Sequence, residues 1–121
     1  MNTSDWGPPT WTLFHTIAFN QGFDKKIPPK KKKELSQFFN SLQYVLPCKY
    51  CRETYSYYLT IMPVENYLSS GKDIVNWTFD VHNMVNVKIG KPVSDYKEFV
   101  KKYSSIIVNK DKQKACHNQC L

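Results

Sequence analysis

Apolar residues recur at helical spacing along most of this chain, and that periodicity constrains its fold more than any other feature. Similar stripes predict helices over residues 10–20, 30–46, 48–62 and 73–89, and a fifth helix whose stripe runs from 96 to 107. The second of these has the clearest stripe: Leu35, Phe38, Phe39, Leu42, Val45 and Leu46. No segment shows the alternation of apolar and polar residues that is typical of a strand. The sequence therefore predicts an all-α bundle.

Turn-forming residues separate these stripes. The predicted breaks are the turn at residues 5–9, Gly22, the polar connection at residues 63–72, Gly90, and Ser94 or Asp95 as the cap of the fifth helix. From Asn109 the chain becomes polar and lysine-rich. We therefore expect one folded domain over residues 1–108 and a flexible tail over residues 109–121.

The composition narrows the class of protein. A chain of 121 residues with 41% apolar and 15% aromatic residues is large enough for one packed core. The formal charge of +7 makes acidic partners plausible, but much of it comes from the run Lys25–Lys33 and the tail. We interpret that run as a solvated surface and expect no nucleic-acid partner. No apolar stretch is long enough to cross a bilayer, and no secretory or mitochondrial targeting segment is visible, so we expect no membrane partner.

Two cysteines lie three positions apart at the predicted start of the third helix. Pro47 precedes the pair, Cys48 and Cys51, and proline is tolerated in a helix's first turn. The positive end of the helix dipole favours thiolates there, and therefore thiol–disulfide exchange. By itself the spacing remains ambiguous between half of a zinc site, a redox pair and a structural loop.

Several polar side chains point toward the predicted core. His82 and Asn86 lie one helical turn apart within the apolar stripe of the fourth helix, and His15 follows Trp11 on the matching face of the first. The full fourth-helix stripe is Val75, Thr78, Phe79, His82, Val85, Asn86 and Ile89. A buried polar group without a partner costs about 1–3 kcal/mol. Two histidines, an amide and an indole facing one interior therefore favour a bound cofactor.

Three motifs carry a resemblance to a known family. They are Trp6-Gly7-x-x-x-Trp11-x-x-x-His15, Pro47-Cys48-x-x-Cys51 and His82-Asn83-x-Val85-Asn86-x-x-Ile89-Gly90-Lys91-Pro92. In order and spacing the chain resembles, over roughly residues 6–103, the Erv/ALR family of FAD-linked sulfhydryl oxidases. It is most similar to the small versions of large cytoplasmic DNA viruses, which implies host cytoplasm or a virus assembly site.

The resemblance implies a four-helix bundle with a short fifth helix, with FAD held within the bundle, and a homodimer. The implied FAD-binding residues are Gly7, Trp11, His15, His82, Asn83, Asn86, Lys88, Lys91, Lys102 and Tyr103. Tyr103 replaces the family's common tryptophan. Phe79 stands where many members have a cysteine of a structural disulfide.

The resemblance also implies the chemistry. Cys51 would be the sulfur next to the flavin, and Cys48 would exchange with a protein dithiol substrate, for which a thioredoxin-like Cys-x-x-Cys carrier is a candidate. Electrons would pass through Cys48–Cys51 to FAD and then to oxygen, with release of hydrogen peroxide. The tail pair Cys116 and Cys120 resembles the shuttle disulfide of some members. A disulfide that only staples the tail, or two unused thiols, are its alternatives.

Three other functions remain open at this point. A zinc-binding helical interaction module would use Cys48, Cys51, Cys116 and Cys120, with His117 as a further candidate ligand. A thioredoxin-like oxidoreductase would require βαβ patterning, which the sequence lacks. A structural helical protein would use the basic loop to dock an acidic partner. We expect the flavin oxidase, with no metal site.

Overall fold

A computed structural model describes residues 2–107, which form five α-helices and one 3-10 helix. The helices are α1 (Thr3–Phe19), α2 (Pro29–Val45), α3 (Lys49–Ile61), the 3-10 helix Val64–Tyr67, α4 (Gly71–Lys88) and α5 (Tyr96–Ile107). Extended backbone pairs only at the isolated bridge between Lys26 and Ser70 in this range. The predicted all-α class is confirmed. None of the helices in the described part of the chain combines the length and the apolar character that a bilayer crossing requires.

The first helix begins seven residues earlier than predicted. Asn2 caps it by accepting a hydrogen bond from the Ser4 backbone N–H at 3.2 Å. The predicted turn at residues 5–9 is therefore wrong, although Pro8 and Pro9 lie inside the helix. Their missing N–H groups would have bonded carbonyls of the exposed first turn, so water can satisfy those carbonyls at modest cost.

The segment at residues 63–72 is also more ordered than a polar connection. It contains the 3-10 helix, and both Val64 and Leu68 are buried in the core. Ser70 then caps α4 in a capping box with Asp73, so α4 starts two residues earlier than predicted. At the other end Gly90 adopts a positive φ of 76° and ends the helix as predicted.

The core lies mainly between α4 and the helices around it. Trp77 fills its centre, and its indole N–H donates to the Met62 carbonyl at 2.8 Å. Tyr55 of α3 donates to the Phe39 carbonyl of α2 at 2.6 Å, which joins those two helices. Periodicity identified most core positions. Three predicted stripe residues are instead exposed because they lie near helix ends: Val45, Ile89 and Ile106.

A loop clamps the start of α4. Backbone N–H groups of Gly71 and Lys72 donate to the carbonyls of Lys25 and Phe23, at 3.0 and 2.9 Å. These bonds bring Gly71 so close to the backbone of Gly22 that a Cβ at position 71 would overlap its carbonyl. Only glycine fits there without a backbone shift.

We predict that Gly71→Ala lowers the free energy of unfolding by about 2 kcal/mol, because the added methyl group must displace backbone. Urea denaturation followed by circular dichroism measures this change. Ser69→Ala is the matched control, since Ser69 is exposed and the same residue is introduced two positions away. Equal stability of the two variants would contradict the close approach.

Candidate functional site

Two imidazoles meet between α1 and α4. Nε2 of His15 lies 2.8 Å from Nδ1 of His82, and Nδ1 of His15 lies 3.1 Å from the hydroxyl oxygen of Thr78. His15 is almost fully buried, and His82 is half-buried. The predicted convergence of the two histidines is therefore present, and Thr78 completes a chain of three polar groups.

Aromatic rings enclose this pair. The indole of Trp11 stacks on His82 with ring centroids 4.0 Å apart and planes 2° from parallel. From α5, Phe99 and Tyr103 contact His15 with centroids 4.7 and 5.0 Å away. We call Trp11, His15, His82, Phe99 and Tyr103 the aromatic cluster. It joins α1, α4 and α5 through direct ring contacts.

The environment keeps both imidazoles uncharged. Burial, together with His82 and Lys102, lowers the pKa of His15 to about 3. Burial, together with the positive charges of Lys91 and Lys102, lowers the pKa of His82 to about 4. Both groups therefore act at neutral pH as hydrogen-bonding groups without charge.

The two asparagines hold the end of α4 against the following loop. Asn86 is buried and donates from Nδ2 to Oδ1 of Asn83 at 3.3 Å, and its carbonyl accepts from the Lys91 backbone at 2.8 Å. Oδ1 of Asn83 also accepts from the Ser94 backbone at 2.9 Å. Asn83 thus has a structural role in shaping the α4–α5 connection.

The cysteine pair lies at the start of α3, with its two sulfurs unbonded to each other. Cys48 is the N-cap, and its sulfur accepts from the Cys51 backbone N–H at 3.1 Å. Hydrogen bonds from the Cys51 side chain and backbone lower the pKa of Cys48. Burial, with the bond to Cys48, raises the pKa of Cys51 to about 11. Of the two thiols predicted to favour the thiolate form, Cys48 therefore has a lowered pKa and Cys51 a raised one.

One residue between the cysteines connects this pair to α4. The Nζ of Lys88 lies 4.8 Å from the ring centroid of Tyr50, and interaction with the Tyr50 side chain raises the pKa of Lys88. Lys88 and Asn83 also line an open groove of about 610 Å3 between α3 and α4. No hydrogen bond or ring contact within residues 2–107 joins the cysteines directly to the aromatic cluster.

The predicted site residues therefore occupy two sides of α4. Trp11, His15, His82 and Tyr103 form one group on the α1–α5 side, and the ammonium of Lys102 lies 5.2 Å from the Tyr103 ring centroid. Asn83 and Lys88 face the groove on the α3 side. Asn86 and Lys91 belong to the contacts at the end of α4 described above. At the predicted residue Gly7 of α1, a Cβ would meet no atom within 4 Å among the described residues.

Sequence patterns do not predict three features of the described residues. Thr78 was assigned to the core, although its position one turn before His82 on the same face was a usable signal. The indole N–H of Trp6 is buried and has no partner among residues 2–107, which periodicity cannot reveal. The contact of Tyr50 with Lys88 is not predictable, because nothing in the sequence pairs these two residues.

The described residues contain no group of three or more histidine, cysteine or acidic side chains that could hold a metal ion. The zinc alternative also needs Cys116 and Cys120, with His117 as a further candidate ligand, and these residues lie outside the described part of the chain, as does the predicted tail. The thioredoxin-like alternative required a parallel sheet, which residues 2–107 do not contain.

The dithiol lies at the start of a helix in an all-α bundle that also contains a neutral histidine pair. These features define an all-α protein with a cysteine pair, a class distinct from the thioredoxin-like proteins. Comparison with family models matches residues 8–104 to the Erv1/Alr family. This match spans most of the chain, so the protein belongs to the Erv1/Alr family. The family predicted from the three motifs is confirmed.

Named relatives agree with this assignment. The chain is 35% identical over 113 residues to a probable FAD-linked sulfhydryl oxidase of Acanthamoeba polyphaga mimivirus, which covers 93% of this chain and 78% of the relative. It is 33% identical over 105 residues to a FAD-linked sulfhydryl oxidase of African swine fever virus, covering 86% and 84%. The FAD-binding domain of Erv1 from Saccharomyces cerevisiae superposes with a TM-score of 0.78 at 26% identity, covering 87% and 96%.

We predict that the free energy of unfolding decreases on acidification, already at pH values above those at which carboxyl groups titrate. In the unfolded chain both histidines titrate near pH 6.5, whereas in the fold their pKa values are about 3 and about 4. As pH falls from about 6.5 to about 5, the unfolded state therefore binds more protons than the folded state, and the free energy of unfolding decreases.

Urea denaturation at several pH values between about 5 and 6.5 measures the slope of the free energy of unfolding against pH. His82→Gln is the comparison variant, since it removes one of the two groups while the ordinary carboxyl groups titrate at lower pH. Its slope should be clearly smaller than that of the parent protein. An unchanged slope would show that His82 is not held neutral by the fold.

Proposed function

We propose that this chain is a FAD-linked sulfhydryl oxidase, which makes disulfide bonds in protein thiols. The observation that carries the proposal is the Cys48–Cys51 pair at the start of α3, linked through Tyr50 and Lys88 to the helix that bears His82 and Asn86. The names of the relatives in the Erv1/Alr family support the same activity. A dithiol that can cycle and a site for a planar acceptor are the two parts this reaction requires.

The residues of the site fit a flavin. The indole of Trp11 and the imidazole of His82 offer flat ring surfaces, and both imidazoles are neutral hydrogen-bonding groups. The buried Trp6 N–H has no protein partner within residues 2–107 and is a donor available to a ligand. Cations suited to a diphosphate are supplied by Lys88, Lys91 and Lys102.

The predicted FAD-binding set as a whole is part of the proposal. Its members are Gly7, Trp11, His15, His82, Asn83, Asn86, Lys88, Lys91, Lys102 and Tyr103. The open space beside Gly7 and the position of Asn83 and Lys88 on the groove support their inclusion. When bound, FAD would accept two electrons from the dithiol and pass them to oxygen, which would be reduced to hydrogen peroxide.

The two cysteines have different roles. In the oxidised pair a substrate thiolate attacks the sulfur of Cys48, forming a mixed disulfide and releasing the Cys51 sulfur with the bonding electrons. A second substrate thiolate then attacks its partner sulfur in the mixed disulfide and releases the Cys48 thiolate. The lowered pKa of Cys48 makes it a good leaving group in this second step. Cys51, the half-buried second cysteine, is left as the sulfur that passes the electrons to the flavin.

The domain organisation, the substrate, the electron acceptor, the oligomeric state and the location are also part of this proposal. Residues 1–108 are the FAD-binding oxidase domain, and residues 109–121 are a tail with a cysteine pair. The substrate is a protein dithiol, possible carriers being proteins with a thioredoxin-like Cys-x-x-Cys, and oxygen is the acceptor. The enzyme acts as a homodimer in the host cytoplasm or at a virus assembly site, an assignment supported by the viral relatives.

Purified protein should be yellow and should consume oxygen with a dithiol substrate. We predict that Cys48→Ser and Cys51→Ser each lower the oxidase rate at least a hundredfold while the flavin spectrum remains, because neither variant can form the disulfide. Oxygen uptake and the visible spectrum are the measurements. A colourless, correctly folded protein, or a Cys51→Ser variant with normal activity, would contradict the proposed function.

The tail pair is proposed to be a shuttle between substrate and Cys48. Replacing Cys116 and Cys120 together by serine should then slow oxidation of protein substrates several-fold and leave small dithiols unaffected, since small thiols reach Cys48 directly. Rates on a reduced protein and on dithiothreitol provide the comparison. Equal rates of parent and variant on both substrates would exclude a shuttle.

A further inference from the structure

We propose that Thr78 is a positioning residue, whose hydroxyl sets the tautomers of His15 and His82 so that Nε2 of His82 accepts a hydrogen bond from the bound cofactor. The ligand group that this nitrogen takes is an N–H or O–H donor. The inference rests on the proposed function for the identity of the cofactor, whereas the order of protons rests on the geometry alone.

The hydroxyl proton of Thr78 has a nearby acceptor. Its oxygen lies 2.9 Å from the carbonyl of Val75, one turn back in α4, and donates to it. A hydroxyl has one proton, so the same oxygen can only accept from Nδ1 of His15, which lies 3.1 Å away. His15 therefore has its proton on Nδ1.

The position of the proton on His15 also determines the position of the proton on His82. A neutral imidazole has one N–H, so Nε2 of His15 is an acceptor, and Nδ1 of His82 at 2.8 Å must donate to it. His82 then has no proton on Nε2. That nitrogen makes no hydrogen bond to any described residue, and it is held by the parallel stack on Trp11.

The reverse order of protons is less favourable because it loses a hydrogen bond. If Thr78 donated to His15, it would give up its bond to Val75, and the buried chain would contain two hydrogen bonds where the proposed order has three.

Long-range 1H–15N correlation spectra of the imidazoles of purified, 15N-labelled protein test the order directly, because protonated and unprotonated ring nitrogens resonate far apart. We expect a protonated Nδ1 and an unprotonated Nε2 in both His15 and His82. Protons on Nε2 of both rings would overturn the proposal.

Two substitutions test the role of Thr78. Thr78→Val keeps the shape and removes the hydroxyl, so both rings should move their proton to Nε2. Thr78→Ser is the matched control and should keep the native order. Unchanged tautomers in Thr78→Val would overturn the proposal, and if that variant does not fold, the spectra of the parent protein and Thr78→Ser decide.

Flavin affinity provides the second readout. Since His82 in Thr78→Val would present an N–H to a donor, the dissociation constant for FAD should rise about tenfold, and by less than about threefold in Thr78→Ser. Inverted tautomers with unchanged affinity would overturn the acceptor role of His82. A protein that binds no FAD would instead refute the proposed function, while the tautomers measured in the same samples would still confirm or overturn the proton order.

Discussion

The hydrogen bond between His15 and His82 is the interaction on which the arrangement of the site depends. It lies where α1 and α4 pack, and each imidazole is uncharged because burial and neighbouring cations oppose its protonation. A charged pair at this distance would repel, and an unpaired imidazole would incur a desolvation cost. The rings of Trp11, Phe99 and Tyr103 surround the bond, so its loss would loosen three helices together.

The fourth helix organises both halves of the site because its two flanks have different neighbours. One flank presents His82 to α1, and the other presents Lys88 to Tyr50 at the start of α3. The helix is fixed at its beginning by the clamp around Gly71 and at its end by the asparagine contacts to the following loop. A helix that is fixed at both ends can position side chains on two opposite faces without relying on loops, which are the more variable parts of a protein.

Helical periodicity predicted the fold class, the five α-helices and the convergence of His15 with His82, because a period of 3.6 residues decides which side chains share a face. Helix ends were less predictable. Pro8 and Pro9 suggested a turn, yet both lie within α1, where the carbonyls that they leave without an N–H partner belong to exposed residues. Periodicity also does not say which faces meet or how deeply a group is buried, so the contact of Lys88 with α3 and the high pKa of Cys51 required the structure.

In the proposed function the sulfur of Cys48 has two tasks at once: it reacts with the substrate, and it caps a helix. A thiolate accepts hydrogen bonds more strongly than a thiol or a disulfide sulfur does, because its charge is localised on the acceptor atom. The first turn of α3 is therefore anchored best when Cys48 is ionised and least well when that sulfur is covalently engaged. In the proposed reaction each turnover would therefore change how well the first turn of α3 is anchored, so the rigidity of the backbone next to Cys48 would follow the oxidation state of its sulfur.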